Sequence, residues 1–250
     1  MKKRVNIVLA LSVLAALLLS ACGGAASSAA SAAPSASTSA AAERIALTVG
    51  ASPAPHAEIL EQVVPILAEQ GIDLTITEFN DYILPNTALE DGSLDANYFQ
   101  HLPYLENFNA ENGTDLVSAG GIHIEPLGIY PGKTKTLEEL QDGALIGIPN
   151  DTTNESRALF LLQEQGLITL KDGVEFKAVP SDIVENPRNL QFKELEAAQL
   201  PVSLPDLDFA VINGNYAVGS EIGDTVLATE GAESPYVHIL AERRGAETRA

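Results

Sequence analysis

The chain has 250 residues, of which 34 are acidic, 14 are basic and one is cysteine, giving a net charge of −20. So large a negative excess is repelled by phosphate backbones, which excludes nucleic-acid binding through a basic face. A single thiol excludes an internal disulfide framework.

Met1-Lys2-Lys3-Arg4 is a basic start, followed by an apolar run from Val5 to Leu19 that only Asn6 and Ser12 interrupt. A charged segment with a short apolar core predicts an export signal over 1–21, too short for a comfortable membrane span. The one cysteine stands at its end, in Leu19-Ser20-Ala21-Cys22-Gly23. An apolar residue, two small ones and a thiol resemble a bacterial lipobox. Cys22 is therefore the expected lipidation site and the first mature residue. From Gly23 to Ala42 every residue is Gly, Ala, Ser, Thr or Pro. Such a segment has nothing to bury, so 22–44 reads as a lipidated cysteine and a flexible tether reaching roughly 25 Å. The expected location is the extracytoplasmic face of the cell membrane, held by the lipid anchor.

Residues 45–250 suffice for two lobes of ordinary domain size. Arg44–Gly50 reads as a strand, His56–Gln70 as a helix closed by Gly71, and Asp73–Phe79 as a second strand. Leu94–Tyr98 follows as a short strand, His101–Asn112 as a helix stopped by Gly113, and Leu116–Tyr130 as an extended stretch. The next half begins with a short helix at Thr136–Gln141 and a strand at Ala144–Pro149. A helix from Thr153 or Asn154 to Gln165 comes next, stopped by Gly166, with strands at Val174–Val179 and Phe209–Asn213. Strand–helix alternation of this kind predicts an α/β fold with largely parallel sheets, whose ligands bind beyond the carboxyl ends of the strands.

Three strand-to-helix turns are candidates for such a site. Tyr98-Phe99-Gln100-His101-Leu102-Pro103-Tyr104 gathers three aromatic rings and an imidazole, which fit core packing ring by ring and a pocket wall when taken together. Asn150–Arg157 opens a helix whose free amides favour an anion. Arg157 sits in its first turns, where a cation needs a negative partner, either a ligand carboxylate clamped by two hydrogen bonds or a neighbouring acidic side chain. In Val211-Ile212-Asn213-Gly214, Asn213 offers a donor and an acceptor suited to an amino-acid head group, although Asn before Gly is also ordinary turn chemistry.

Five blocks in order resemble the methionine-binding lipoproteins of the NlpA type. They are Gly50–Leu60, Tyr98–Leu105, Glu125–Tyr130, Asn150–Leu159 and Ser234–Val237. The resemblance implies a two-lobed, periplasmic-binding-protein-like fold with the ligand between the lobes. Lobe 1 would comprise 45–127 plus 236–250, and lobe 2 would comprise 128–235. It implies that Arg157 and Asn154 take the ligand carboxylate, that Asn213 takes the α-amino end, and that Tyr82, Phe99, His101 and Tyr104 wall the side-chain pocket. The implied partners are methionine or a relative and the permease and ATPase subunits of an ABC importer, with the protein acting as a monomer. Binding of another small amino acid or a methionyl dipeptide, or a partner-contact role at the cell surface, remains the alternative. At His238 the family ordinarily carries an Asn that reaches the ligand, so ligand choice and its dependence on pH are expected to hinge on this imidazole. The ending Arg243–Ala250 stops where the family usually continues into a helical segment.

No Gly-x-Ser-x-Gly, His-Glu-x-x-His or phosphate-loop motif occurs, so no enzyme and no cofactor are expected. His123 and Glu125 share one strand face, but two ligands do not make a metal site, and none is expected.

Overall fold

The computed structural model describes residues 44–231 and 233–246. The export signal, Cys22, the tether and residues 247–250 lie outside the described residues. Among the described residues no helix is long and apolar enough to cross a membrane.

The chain begins with β1 (Ile45–Ala51), a wide turn over Pro53–Ala57, and α1 (Glu58–Glu69). β2 (Ile72–Glu78), α2 (Leu84–Glu90) and β3 (Ala96–His101) follow, then α3 (Leu102–Asn112) and β4 (Leu116–Ile124). Gly113, at a φ of 69°, closes α3 in the left-handed conformation that glycine adopts without steric cost. β5 (Gly128–Pro131), β6 (Leu145–Pro149) and α4 (Thr152–Glu164) begin the second half. Short pieces come next, namely β7 (Thr169–Leu170), β8 (Ile183–Glu185), β9 (Gln191–Leu195) and α5 (Leu200–Ser203). The chain finishes with β10 (Phe209–Ile212), α6 (Gly214–Gly219), β11 (Ala228–Thr229) and β12 (Val237–Arg243).

Two five-stranded sheets result, ordered β2-β1-β3-β12-β4 and β11-β5-β10-β6-β9. The α/β class and two-lobed architecture follow from them. In the first sheet β1 runs parallel to β2 and β3, while β12 runs antiparallel to β3 and β4. In the second, β6 is parallel to β10 and β9, and β5 is antiparallel to β10 and β11. The antiparallel pairings belong to the strands flanking the two passages of the chain between sheets, from β4 to β5 and from β11 to β12.

Three expectations need correction. Thr136–Gln141 forms bends and a turn instead of a helix. Leu140 is pinned in the core there, with its carbonyl accepting from Arg188. Val174–Val179 is irregular instead of a strand. Phe176 takes a φ of 37°, and the Ala178 amide donates to Ser156 Oγ at 3.0 Å rather than to a neighbouring strand. The third strand starts later and runs further than predicted. Tyr98 to His101 belong to β3, all six residues of which are buried, so the strand is covered on both faces although Asn97, Gln100 and His101 are polar.

The second sheet packs on one large aliphatic core that includes Leu127, Ile146, Ile148, Leu159 and Phe209. α4 buries nine of its thirteen residues, of which Ala158, Leu159, Leu161 and Leu162 belong to this core. The first sheet's main cluster is smaller and mixes rings with aliphatics, among them Leu89, Phe99, Leu105, Phe108 and Ile239. No residue of α1 is fully buried.

Candidate functional site

β3 and β10 end where α4 begins, and residues at these ends meet there. Tyr82, Phe99, Gln100, His101 and Tyr104 from the first lobe face Asn154 and Asn213 from the second, with His238 of β12 between them. The structure thus brings seven of the eight sequence-derived residues around one cavity. Gln100 is an addition, and the buried alternation of β3 was the signal for it. Gln100 belongs to a buried carboxamide network, donating to Asn86 Oδ1 and Asn97 Oδ1 at 2.7 and 2.9 Å.

Rings form the first lobe's side. The centroids of Tyr82, Phe99 and Tyr104 lie 5.9–6.0 Å apart, with Tyr104 edge-on to the other two. Such offset contacts are the favoured aromatic geometry. Tyr104 Oη donates to the Tyr82 carbonyl at 2.8 Å. Tyr82 Oη reaches across the cleft and donates to Asn215 Oδ1 at 2.6 Å.

Amides form the other side, on a framework set by a helix cap. Asp151 caps α4, accepting from the Asn154 backbone N–H at 3.0 Å and from Asn154 Nδ2 at 2.9 Å. That fixes the Asn154 amide with Oδ1 outward, where it accepts from Asn213 Nδ2 at 3.0 Å and meets His101 Nε2 at 3.1 Å. His101 Nδ1 accepts the Tyr104 backbone N–H, so its proton sits on Nε2 and points at Asn154. Burial, and next the charge of Arg157, push the His101 pKa down to about 3. The imidazole is neutral at physiological pH. Asn213 Oδ1 is buried and has no hydrogen-bond partner, an acceptor left open.

Arg157 stands apart from these seven. Its guanidinium grips Glu230 with two bonds, Nε to Oε1 at 2.7 Å and Nη2 to Oε2 at 2.5 Å, and Nη2 also donates to the Glu125 carbonyl at 2.8 Å. The fork lies 4.3 Å over the Tyr236 ring and also borders a neighbouring cleft of about 590 Å³. Glu230 is 73 residues away in sequence, and no local pattern signals it. His238 borders the cavity but turns both ring nitrogens elsewhere: Nδ1 lies 2.8 Å from His56 Nε2 and Nε2 lies 3.7 Å from Glu125 Oε2. Burial drives its pKa well below the ordinary histidine value.

The cavity itself measures about 10 Å³, room for roughly one water. Direct bonds close it from lobe to lobe, Tyr82 to Asn215, His101 to Asn154 and, at the rim, Tyr216 Oη to the Asn80 carbonyl at 3.1 Å. Entry of anything larger requires the lobes to part, the hinge motion that two-lobed binding proteins use.

The family model for NlpA lipoproteins matches residues 47–250. The chain belongs to the NlpA lipoprotein family. The D-methionine-binding lipoprotein MetQ of Escherichia coli K12 is 45% identical over 206 residues, 80% of this chain and 74% of that protein. Among solved structures, an ABC transporter periplasmic substrate-binding protein from Coxiella burnetii aligns with a TM-score of 0.77 and 41% identity, covering 81% of this chain and 87% of that one. A nutrient binding protein from Burkholderia cenocepacia bound to methionine aligns with a TM-score of 0.77 and 44% identity, covering 81% and 87%.

Proposed function

We propose that this is a substrate-binding lipoprotein, not an enzyme, that captures methionine or a close relative between its lobes and delivers it to the permease and ATPase subunits of an ABC importer. The observation that carries this reading is the convergence of an aromatic wall and a set of oriented carboxamides on one cavity, in a family whose Burkholderia relative was solved bound to methionine.

In this reading Tyr82, Phe99, His101 and Tyr104 enclose the ligand side chain. A thioether between ring faces gains roughly 0.3–1.5 kcal/mol of sulfur–aromatic contact. Asn213 Oδ1, the open acceptor, takes the α-ammonium. Arg157 takes the carboxylate, with Glu230 holding the guanidinium in place from its far side, and Asn154 helps by turning its amide away from Asp151 when the lobes part. His238 closes the wall with its carbon edge. Lobe boundaries at 127/128 and 235/236 are supported by the two passages of the chain between the sheets. The protein acts as a monomer anchored through lipidated Cys22 on the extracytoplasmic face of the membrane.

A thermal-shift screen of the common amino acids, D-methionine and methionyl dipeptides tests the ligand. At a hundred times its dissociation constant a true ligand adds about 2.7 kcal/mol to stability. L- or D-methionine is expected to give the largest shift, and no shift with any of these compounds overturns the reading. Cys22→Ser is expected to move the protein from the membrane fraction to the soluble one, because a chain this acidic has no electrostatic attraction to anionic lipid.

A further inference from the structure

Three of the four histidines in the chain meet at one point outside the row of ligand-facing amides. His56 comes from the turn before α1, His123 from β4, and His238 from β12, where it pairs in register with His123. Glu125 follows directly after β4. One potential ligand atom from each of the four lies within 4.8 Å of every other. His56, His238 and Glu125 are at most 7% exposed, and the side chain of His123 is 24% exposed. The group is buried with one side open to solvent.

Around Glu125 the distances suit a shared cation better than hydrogen bonds, whereas His56 Nε2 and His238 Nδ1, 2.8 Å apart, share a hydrogen bond that the ion would replace. A charge-assisted bond between imidazole and carboxylate runs about 2.7–2.9 Å. Here His123 Nε2 lies 3.4 Å from Glu125 Oε1, and His238 Nε2 lies 3.7 Å from Glu125 Oε2. With bonds of about 2.0–2.1 Å, neighbouring ligand atoms around a tetrahedral zinc ion stand roughly 3.4 Å apart. Outer partners are also in place. Tyr98 Oη is 2.6 Å from His123 Nδ1, which fixes that ring with Nε2 toward Glu125. The Asn215 backbone N–H donates to Glu125 Oε2 at 3.0 Å. Gly214 leaves the space Glu125 occupies, since a Cβ there would come within 2.7 Å of Glu125 Cγ. His56 Nδ1 is buried without a hydrogen-bond partner. The contacts to His123 and Glu125 are of the kind that orient metal-ligating histidines and carboxylates.

We propose that His123, Glu125 and His238, closed by His56, form a zinc site. Three imidazoles and one carboxylate, with no thiolate, are an ordinary zinc donor set. Tetrahedral coordination requires the four ligand atoms, now within 4.8 Å of one another, to draw toward one centre, and the exposed edge of His123 is the entry path. The ion would tie the first passage between the lobes, at Glu125, to β12 of the first lobe's sheet and to the turn before α1. The site is separate from the amino-acid cavity, sharing only His238 with it, and its test needs no amino-acid ligand.

The experiment is a calorimetric titration of zinc chloride into the full untagged chain after chelator treatment, without amino acid, alongside cobalt(II) absorption spectra. One equivalent is expected to bind, with the strong visible band of four-coordinate cobalt and a raised melting temperature. Glu125→Gln and His123→Gln should each weaken zinc at least about 100-fold and abolish the cobalt band. His56→Gln should weaken zinc about 10-fold. Circular dichroism of each variant establishes that it is folded, and because His123 is partly exposed its variant is the one expected to fold most like the parent. Weak binding at several sites that the folded His123→Gln variant leaves unchanged would assign the zinc to surface carboxylates and overturn the proposal, as would a six-coordinate cobalt spectrum.

Discussion

On the side of the cavity built by β3 and α3, the lining consists of rings whose own polar atoms are already engaged, Tyr104 with the Tyr82 carbonyl and Tyr82 with Asn215. On the side built by α4 and β10 it consists of carboxamides chained to a helix cap, ending in an acceptor with no partner. The first side offers shape and apolar surface, and the second offers unsatisfied hydrogen bonding. The supporting cores differ in the same sense. α4 buries nine of thirteen residues, four of them in a continuous aliphatic core, whereas the first sheet rests on a smaller mixed cluster and α1 buries none completely. Polar groups that must hold an angle to a fraction of an ångström stand on the more deeply buried element. Rings, which tolerate small displacements, stand on the other.

The sharpest way to break this comparison is through Arg157, which is 1% exposed and paired with Glu230. Arg157→Ala is expected to abolish amino-acid binding and to cost about 3–5 kcal/mol of stability, because it strands a buried carboxylate. Arg157→Met combined with Glu230→Gln should recover most of the stability, measured by urea unfolding, and none of the binding, measured by calorimetry. Recovery of both would mean that Arg157 serves the fold alone.

A second test concerns His101, which sits on the aromatic side but bonds to the amide side. Its native pKa is about 3, against roughly 6.5 for the unfolded residue. Below pH 6.5 the unfolded chain takes up a proton that the native state refuses, so stability falls as pH falls from 6.5 toward 3. The slope is about 1.4 kcal/mol per pH unit. His101→Asn should therefore lose less stability than the parent between pH 7 and 5, in buffers containing chelator. Because the native imidazole stays neutral, affinity for methionine is expected to be flat between pH 5.5 and 8. That differs from the fall near pH 6.5 that an exposed histidine would produce, and an acid limb near 6.5 would place a solvated imidazole at the ligand.

The smallest expected effect separates shape from hydrogen bonding. Tyr82→Phe keeps the ring and leaves Asn215 Oδ1 without its donor, a loss of about 1 kcal/mol, or roughly fivefold in affinity for every ligand alike. Phe99→Leu, which alters only the wall, should change the ranking between methionine and leucine instead. If Tyr82→Phe reorders the ligands as strongly as Phe99→Leu, the two sides are not functionally distinct.

Much of the fold was legible where a local pattern decides it. The alternation of Asp73–Phe79 and the Gly113 and Gly166 stops correspond to β2 and to the ends of α3 and α4. The aromatic run Tyr98–Tyr104 was legible as chemistry, although its strand continues to His101. What stayed hidden depends on partners distant in sequence. β9 and β12 exist because β6, β3 and β4 offer edges to them. The Arg157 to Glu230 grip and the convergence of His56 and His238 on His123 and Glu125 are also set by topology, since nothing near any of these residues announces its partner. Thr136–Gln141 and Val174–Val179 failed in the opposite direction, with local patterns overruled by where Leu140 and Ala178 had to be buried.

β12 is inserted between β3 and β4 and is the last strand among the described residues. β3 and β4 are thus made with no strand between them until Val237–Arg243 has emerged, whereas the strands of the second sheet follow one another without interruption from β5 to β11, which ends at Thr229. The facing edges of β3 and β4 stay unpaired through that interval, and open edges invite pairing with other chains. Until β12 is in place, the first sheet is therefore the part of the molecule most open to such pairing.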